Sequence, residues 1–169
     1  MEVIGIGNAG REICKVFEQK GYKAYSIDNH SDAFVKFPKV KTIEEAEKVE
    51  IDLSELKNNI KSDHILCVMA GSGLITGACL RILENFRDKK IDFLYIQPDT
   101  SFMNNNGKTR ERVVRNILQE FARSGLFNKM WMVSQSRSYY ALVVLPSSPS
   151  TQLPDYNTPS GATCQPLSH

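Results

Sequence analysis

The sequence predicts a three-layer α/β domain with a doubly wound, mainly parallel sheet and helices on both faces. Three observations carry this prediction. Short apolar runs of strand length alternate with amphipathic runs of helical period as far as residue 145. Two of the strand-to-helix junctions are rich in glycine. The length, 169 residues with 41% hydrophobic side chains, suits a single buried core.

Glu2 to Gly7 is a short apolar run closed by glycines, which suits a buried parallel strand ending in a tight turn. Ile13, Val16 and Phe17 recur at helical spacing between Ala9 and Lys20, and Gly21 stands where a helix end favours a left-handed residue. A second strand is expected from Tyr22 to Ile27, ending at Asp28-Asn29. Between His30 and Ser62 the pattern weakens to two short helices, near Glu44 to Val49 and Leu53 to Ile60. The alternation then resumes with a strand from His64 to Met69, a turn from Ala70 to Gly73 and a helix from Ile75 to Phe86. After a strand from Ile91 to Gln97, Asn104-Asn105-Asn106-Gly107 reads as a loop and Thr109 to Arg123 as a helix. Strands at Lys129 to Ser134 and Tyr140 to Leu145 complete the domain, expected to span residues 1 to 145. Residues 146 to 169 are dominated by Ser, Thr, Pro, Gln and Asn, and this composition predicts a disordered tail. No further helix follows the last apolar strand, so the globular part reads as shorter than a complete doubly wound domain.

Composition narrows the function. No apolar run reaches the ~18 to 20 residues that span a bilayer, and the first residues lead into a strand without a signal-peptide pattern, so an intracellular protein is expected. Cys14, Cys67, Cys79 and Cys164 are widely spaced, with no CxxC pair, which argues against a disulfide framework or zinc knuckle. The formal charge of +2 is spread along the chain and lacks the basic footprint of a nucleic-acid binder.

The glycine turns suggest the chemistry. Gly5-Ile6-Gly7-Asn8-Ala9-Gly10 matches the Rossmann-type G-x-G-x-x-G in its meaningful context, after a strand and at the start of a helix. Absent side chains let backbone N–H groups and the positive end of a helix dipole approach a pyrophosphate. Asp28, eighteen residues after Gly10, falls where such folds place a ribose-holding carboxylate. Gly71-Ser72-Gly73-Leu74-Ile75-Thr76-Gly77 forms a second turn of the same kind, and two cradles facing one crevice suit a nucleoside di- or triphosphate. The competing explanation for both turns is close packing of helices, which also requires small residues.

On these residues the chain resembles the tubulin/FtsZ family. Gly7-Asn8-Ala9-Gly10-Arg11-Glu12 is similar to that family's first phosphate loop, and Gly71 to Gly77 resembles its G-G-G-T-G-[ST]-G signature. Looser similarities are Ile96-Gln97-Pro98 with Phe102 for the ribose-proximal loop, Arg110 or Arg112 at the next helix start, and Ser134-Gln135 beside the base. The resemblance covers about the first 140 residues. It implies GTP or GDP as ligand, with Mg²⁺, in the bacterial cytoplasm, including a cell carrying a phage-encoded copy, and head-to-tail self-association into filaments. The residues it assigns to nucleotide are Gly7, Asn8, Ala9, Gly10, Asp28, Asn29, Gly71, Ser72, Gly73, Thr76, Gly77 and Arg110. Leu74 and Ile75 depart from the signature by removing a hydroxyl and adding bulk. The family's central helix and acidic catalytic loop have no counterpart here, so efficient GTP hydrolysis is not expected. Two other readings stand beside this one: an NAD(P)- or FAD-binding oxidoreductase fragment, favoured by the first fingerprint and Asp28, and a scaffold that keeps the fold without ligand.

Other constellations offer less. His30, His64 and His169 are scattered, and His64 at the start of an apolar strand suits a packed or edge histidine. Asp63 and His64, as strand neighbours, point to opposite faces. Lys108, Arg110, Arg112 and Arg115 form a basic helix start and face.

Overall fold

The computed structural model describes residues 1–134 and the backbone of 142–145. The elements are β1 (Glu2–Ile6), α1 (Gly7–Gln19), β2 (Ala24–Asp28), β3 (Val35–Lys36), α2 (Ile43–Lys48), α3 (Ser54–Asn59), β4 (His64–Ala70), α4 (Cys79–Glu84), β5 (Lys90–Gln97), α5 (Asn105–Arg123), β6 (Phe127–Ser134) and β7 (Leu142–Leu145). Short 3-10 segments at Leu74–Ala78 and Thr100–Phe102 precede α4 and α5. One sheet holds every strand in the order β3-β2-β1-β4-β5-β6-β7. The first six run parallel, and β7 lies antiparallel on the edge against β6. The expected α/β architecture with helices on both faces is therefore present.

Alternation along the strands divides the core in two. Ile4, Ile6, Ile65, Cys67, Met69, Phe93 and Tyr95 face α2 to α5 and join Ala46, Leu56, Ile82, Leu83, Val114 and Leu118. Val3, Leu66, Val68 and Ile96 face the other way and meet Cys14 of α1, with Ile13 and Phe17 partly buried beside them. The direction of the crossovers explains the split. The chain moves outward from β1 to β2 and back from β3 to β4, so right-handed connections place α1 on one face and the later helices on the other.

Local chemistry sets the boundaries. α1 ends as its sequence suggests: Gly21 adopts φ of 82°. Its N–H bonds to the Glu18 carbonyl, that of Tyr22 bonds to Phe17, and the Phe17 and Tyr22 rings meet edge to face at 5.5 Å. These bonds hold Tyr22 in the cap, so β2 begins at Ala24 and not at Tyr22.

Two expectations need correction. Asn105-Asn106-Gly107 is not a loop but the first turn of α5, because the Asn104 side chain accepts a hydrogen bond from the Gly107 N–H at 2.8 Å and caps the helix there. The single helix expected from Ile75 to Phe86 is split into the 3-10 segment and the short α4. Gly77 lies within the 3-10 segment, and a Cβ there would be 2.4 Å from the Ile43 carbonyl oxygen. Direct packing of α2 on this segment thus accompanies its tighter winding. The expected tail, Ser134-Gln135 beyond its first residue, Tyr140, Ala141 and His169 lie outside the described residues.

Candidate functional site

The strand order reverses between β1 and β4, and both glycine turns leave the sheet at that point. Their ends diverge there, so the carboxyl edge opens into a cleft of about 340 Å³. Gly7, Asn8 and Ala9 line it from the first turn, Ala70, Ser72, Gly73, Leu74 and Ile75 from the second, and Asp28 and Asn29 from the end of β2. Ile6 and Phe37 complete its wall.

Among the expected nucleotide residues, the structure brings Gly7, Asn8, Ala9, Asp28, Asn29, Ser72 and Gly73 together. Gly10, Gly71, Thr76, Gly77 and Arg110 are not lining residues of this cleft. Three of these are glycines that face protein. A Cβ on Gly10 would lie 2.7 Å from the Val68 carbonyl oxygen, and one on Gly71 would lie 1.7 Å from the Tyr95 hydroxyl. Gly77 meets α2 as described. The buried Thr76 hydroxyl donates back to the Gly73 carbonyl at 2.6 Å, bracing the turn from within. Arg110 lies in α5, with Nε buried and without a hydrogen-bond partner among the described residues.

Gly7 and Gly73 keep the role of true cleft glycines. Gly7 adopts φ of 75°, which disfavours any side chain, and starts a helix with neither a side-chain cap nor an acidic first turn. Gly73 is exposed at the mouth. Between them stands Ile75, largely buried, with Cγ2 2.8 Å from the place of a Gly7 Cβ and 3.7 Å from that of Gly73. The bulk anticipated at this position does narrow the gap between the turns.

A polar network missed by the sequence reading supports the cleft wall. The buried Arg11 guanidinium donates from Nε to Asp28 Oδ2 at 3.2 Å, and from Nη1 to both Asp32 oxygens at 2.8 and 2.7 Å. Its Nη2 donates to Asn8 Oδ1 at 2.9 Å. The Asn29 N–H donates to the other Asp28 oxygen at 2.8 Å. Partial desolvation opposes ionisation of Asp32, but a hydrogen bond from His30 and the charges of Arg11, His30 and Lys15 outweigh it and hold the carboxyl below its usual range. Arg11 thus fixes Asn8 relative to the end of β2 and offsets the charge of Asp28, which lines the cleft, and of Asp32 beside it. An arginine one turn into the helix, ahead of a strand ending in aspartate, was the available signal.

A second network lies under the other turn. Tyr95 is fully buried in β5 beneath Gly71, and its hydroxyl donates to the buried Glu111 of α5 at 3.4 Å. Burial, and then the Glu111 carboxylate, push the phenol pKa far up, so it stays a donor. At the opposite sheet edge His64 Nε2 is 2.8 Å from Asp92 Oδ2, and Asn128 donates to Asp92 Oδ1 at 2.6 Å. This agrees with a packed histidine, while Asp63 turns instead towards Lys89 at 3.8 Å.

Among the described residues no cluster of three or more His, Cys, Asp or Glu side chains is placed to hold a metal ion, and no helix is long and apolar enough to cross a membrane. No protein-family model matches the chain, and neither a curated protein nor a solved structure does.

Proposed function

We propose that this chain binds a nucleoside di- or triphosphate in the cleft between its two glycine turns, with a guanine nucleotide as the leading ligand. The observation that carries the reading is the meeting of both turns at the strand-order reversal, with Gly7, Asn8, Ser72 and Gly73 on one cleft. Ligand cavities commonly measure ~300 to 1,000 Å³, and this cleft lies at the small end of that range. Phosphate oxygens would meet the uncapped first turn of α1, and Mg²⁺ would be carried mainly by the phosphates. The preference for guanine, and head-to-tail self-association with nucleotide at the junction, rest on the resemblance of the turns to tubulin/FtsZ loops. Binding without rapid hydrolysis is expected, since Asp28, the carboxylate among the described lining residues, is already engaged by Arg11 and the Asn29 N–H.

One observation favours a dinucleotide instead. Asp28 lines the cleft from the end of β2, where it could receive a ribose hydroxyl. Ile75 favours the ligand-free scaffold, because it occupies the space nearest Gly7.

Calorimetry with GTP, GDP, ATP and NAD, each with Mg²⁺, tests these alternatives on one protein. Gly73→Asp is the informative variant. A Cβ at Gly73 meets nothing closer than Ile75 at 3.7 Å, so the variant folds while placing a negative charge at the cleft mouth. Saturable binding of GDP or GTP that this variant weakens at least ~tenfold, a loss of about 1.4 kcal/mol, is expected. Preferential binding of NAD would transfer the site to the dinucleotide reading. Heat-silent titrations backed by unchanged melting temperatures for every nucleotide would leave the scaffold.

A further inference from the structure

A second groove, separate from the nucleotide cleft, lies between α2, α4 and α5 and encloses about 200 Å³. Met69, Cys79, Val114 and Leu118 form its apolar base, and α2 contributes Glu44 and Glu47 to one wall. On the other wall Val113 and Ile117 of α5 remain 45% and 38% exposed. Large aliphatic residues four positions apart on an exposed helix form the kind of stripe that helices bury against another element.

Charge indicates what would cover it. α2 presents Glu44, Glu45 and Glu47 to solvent, opposed on that helix by Lys48. α5 carries Lys108, Arg110, Arg112 and Arg115, and Arg112 is exposed next to Val113. The groove thus has exposed carboxylates on its α2 wall and an apolar trough, and the α5 that bounds it carries the exposed Arg112. Such a surface is complementary to itself about a two-fold axis, because α5 of one molecule in the groove of another brings Arg112 towards Glu44 and Glu47 while the reciprocal contact forms. We propose that this groove is the interface of a homodimer in which α5 of a second copy occupies it. The contact is lateral, and it depends on neither the nucleotide reading nor head-to-tail assembly. One helix in one groove, even counted twice, is a small contact beside the ~1,600 Å² of standard stable complexes, so the dimer is expected to be reversible.

Sedimentation velocity on the full chain over a concentration series provides the test. The expected result is a concentration-dependent passage from monomer to dimer that added salt weakens. Ile117→Glu, at an exposed position, should keep the circular dichroism spectrum and melting temperature while leaving only monomer. Reversing the wall with Glu44→Lys and Glu47→Lys should weaken the dimer at least ~tenfold, and adding Arg112→Glu to that variant should restore it. A chain that stays monomeric at every concentration overturns the proposal, whether or not the groove then takes a basic peptide or an apolar amine. So does a dimer indifferent to Ile117→Glu, and failure of the charge rescue overturns the arrangement of Arg112 against α2.

Discussion

Gly10 belongs to the expected phosphate fingerprint, yet its missing side chain serves the interior. A Cβ there would meet the Gly5 carbonyl carbon and the Val68 oxygen at 2.7 Å, and a Cβ on Gly5 would come within 2.2 Å of the Gly10 oxygen. These two glycines set how closely α1 lies on β1 and β4. Gly10→Ala must push α1 outward, and overpacking of this kind costs ~1 to 3 kcal/mol, or roughly 2 to 4 °C of melting temperature per kcal/mol at this size. Gly73→Ala is the control, since its Cβ would find only Ile75 at 3.7 Å. Equal melting temperatures for the two variants would refute the packing role of Gly10. Cys14, Cys67 and Cys79 are equally committed to the interior. Burial pushes the Cys14 thiol up to about 11 and the Cys79 thiol up to about 12, and it raises Cys67 well above its ordinary value. The thiolate is the reactive form, so these three should resist a disulfide reagent at mildly alkaline pH and react once the chain is unfolded. The sign for stability follows. Above the ordinary thiol pKa of 9.0 the unfolded chain releases protons that the folded chain retains up to about 11 or 12. This contribution is complete below pH 9 and declines through that interval, so urea midpoints should fall across it; midpoints that rose would contradict the burial of these thiols.

At the scale of elements, the chain is most legible where local pattern and tertiary environment agree. The cores of β1, β4 and β5 read correctly because parallel strands buried on both faces are continuous apolar runs. The end of α1 read correctly because Gly21 and the Phe17 to Tyr22 contact form a local cap. The start of α5 did not, because Asn and Gly runs resemble a loop until one asks which side chain can reach a free N–H. Asn104 makes that bond to Gly107. Asn104→Ala should cost about 1 kcal/mol and Asn104→Asp nearly nothing, which thermal melts of the pair would separate; equal losses in both would argue against the cap. The division of the expected Ile75 to Phe86 helix was hidden for another reason, since its accompaniment is the carbonyl of Ile43, distant in sequence. β3, at two residues, is too short to leave any period. The candidate site divides along the same line. Both turns were visible, but Gly7 and Gly73, which face the cleft, have the same letter as Gly10, Gly71 and Gly77, which face a strand, a tyrosine and a helix.

For the whole molecule, the two faces of the sheet are unequal, and the difference bears on the cleft. Among the described residues α1 is the single helix on its face, over a buried cluster of Val3, Cys14, Leu66, Val68 and Ile96. The opposite face buries Phe86, Phe93, Tyr95 and Phe127 beneath several helices, including a stacked Phe93 and Phe127 pair at 4.8 Å. Stabilisation by burial grows with apolar area, so local opening of α1 should require less free energy than opening of the central strands. The links that resist it are concentrated at the first turns, where Gly5 meets Gly10 and Arg11 joins Asp28 and Asp32. Val16, further along, is 54% exposed. In native-state hydrogen exchange the amides of Cys14 to Gln19 should therefore exchange before those of β4, and equal protection would contradict the imbalance. The same measurement reaches the proposed ligand by a separate route. A nucleotide held at the start of α1 stabilises the closed state by RT ln(1 + [L]/Kd), about 2.7 kcal/mol at a hundredfold excess over Kd. Saturating GDP should then slow exchange along α1 more than along α3, at the other end of the connection, whereas equal slowing of both would indicate global stabilisation by a ligand seated elsewhere.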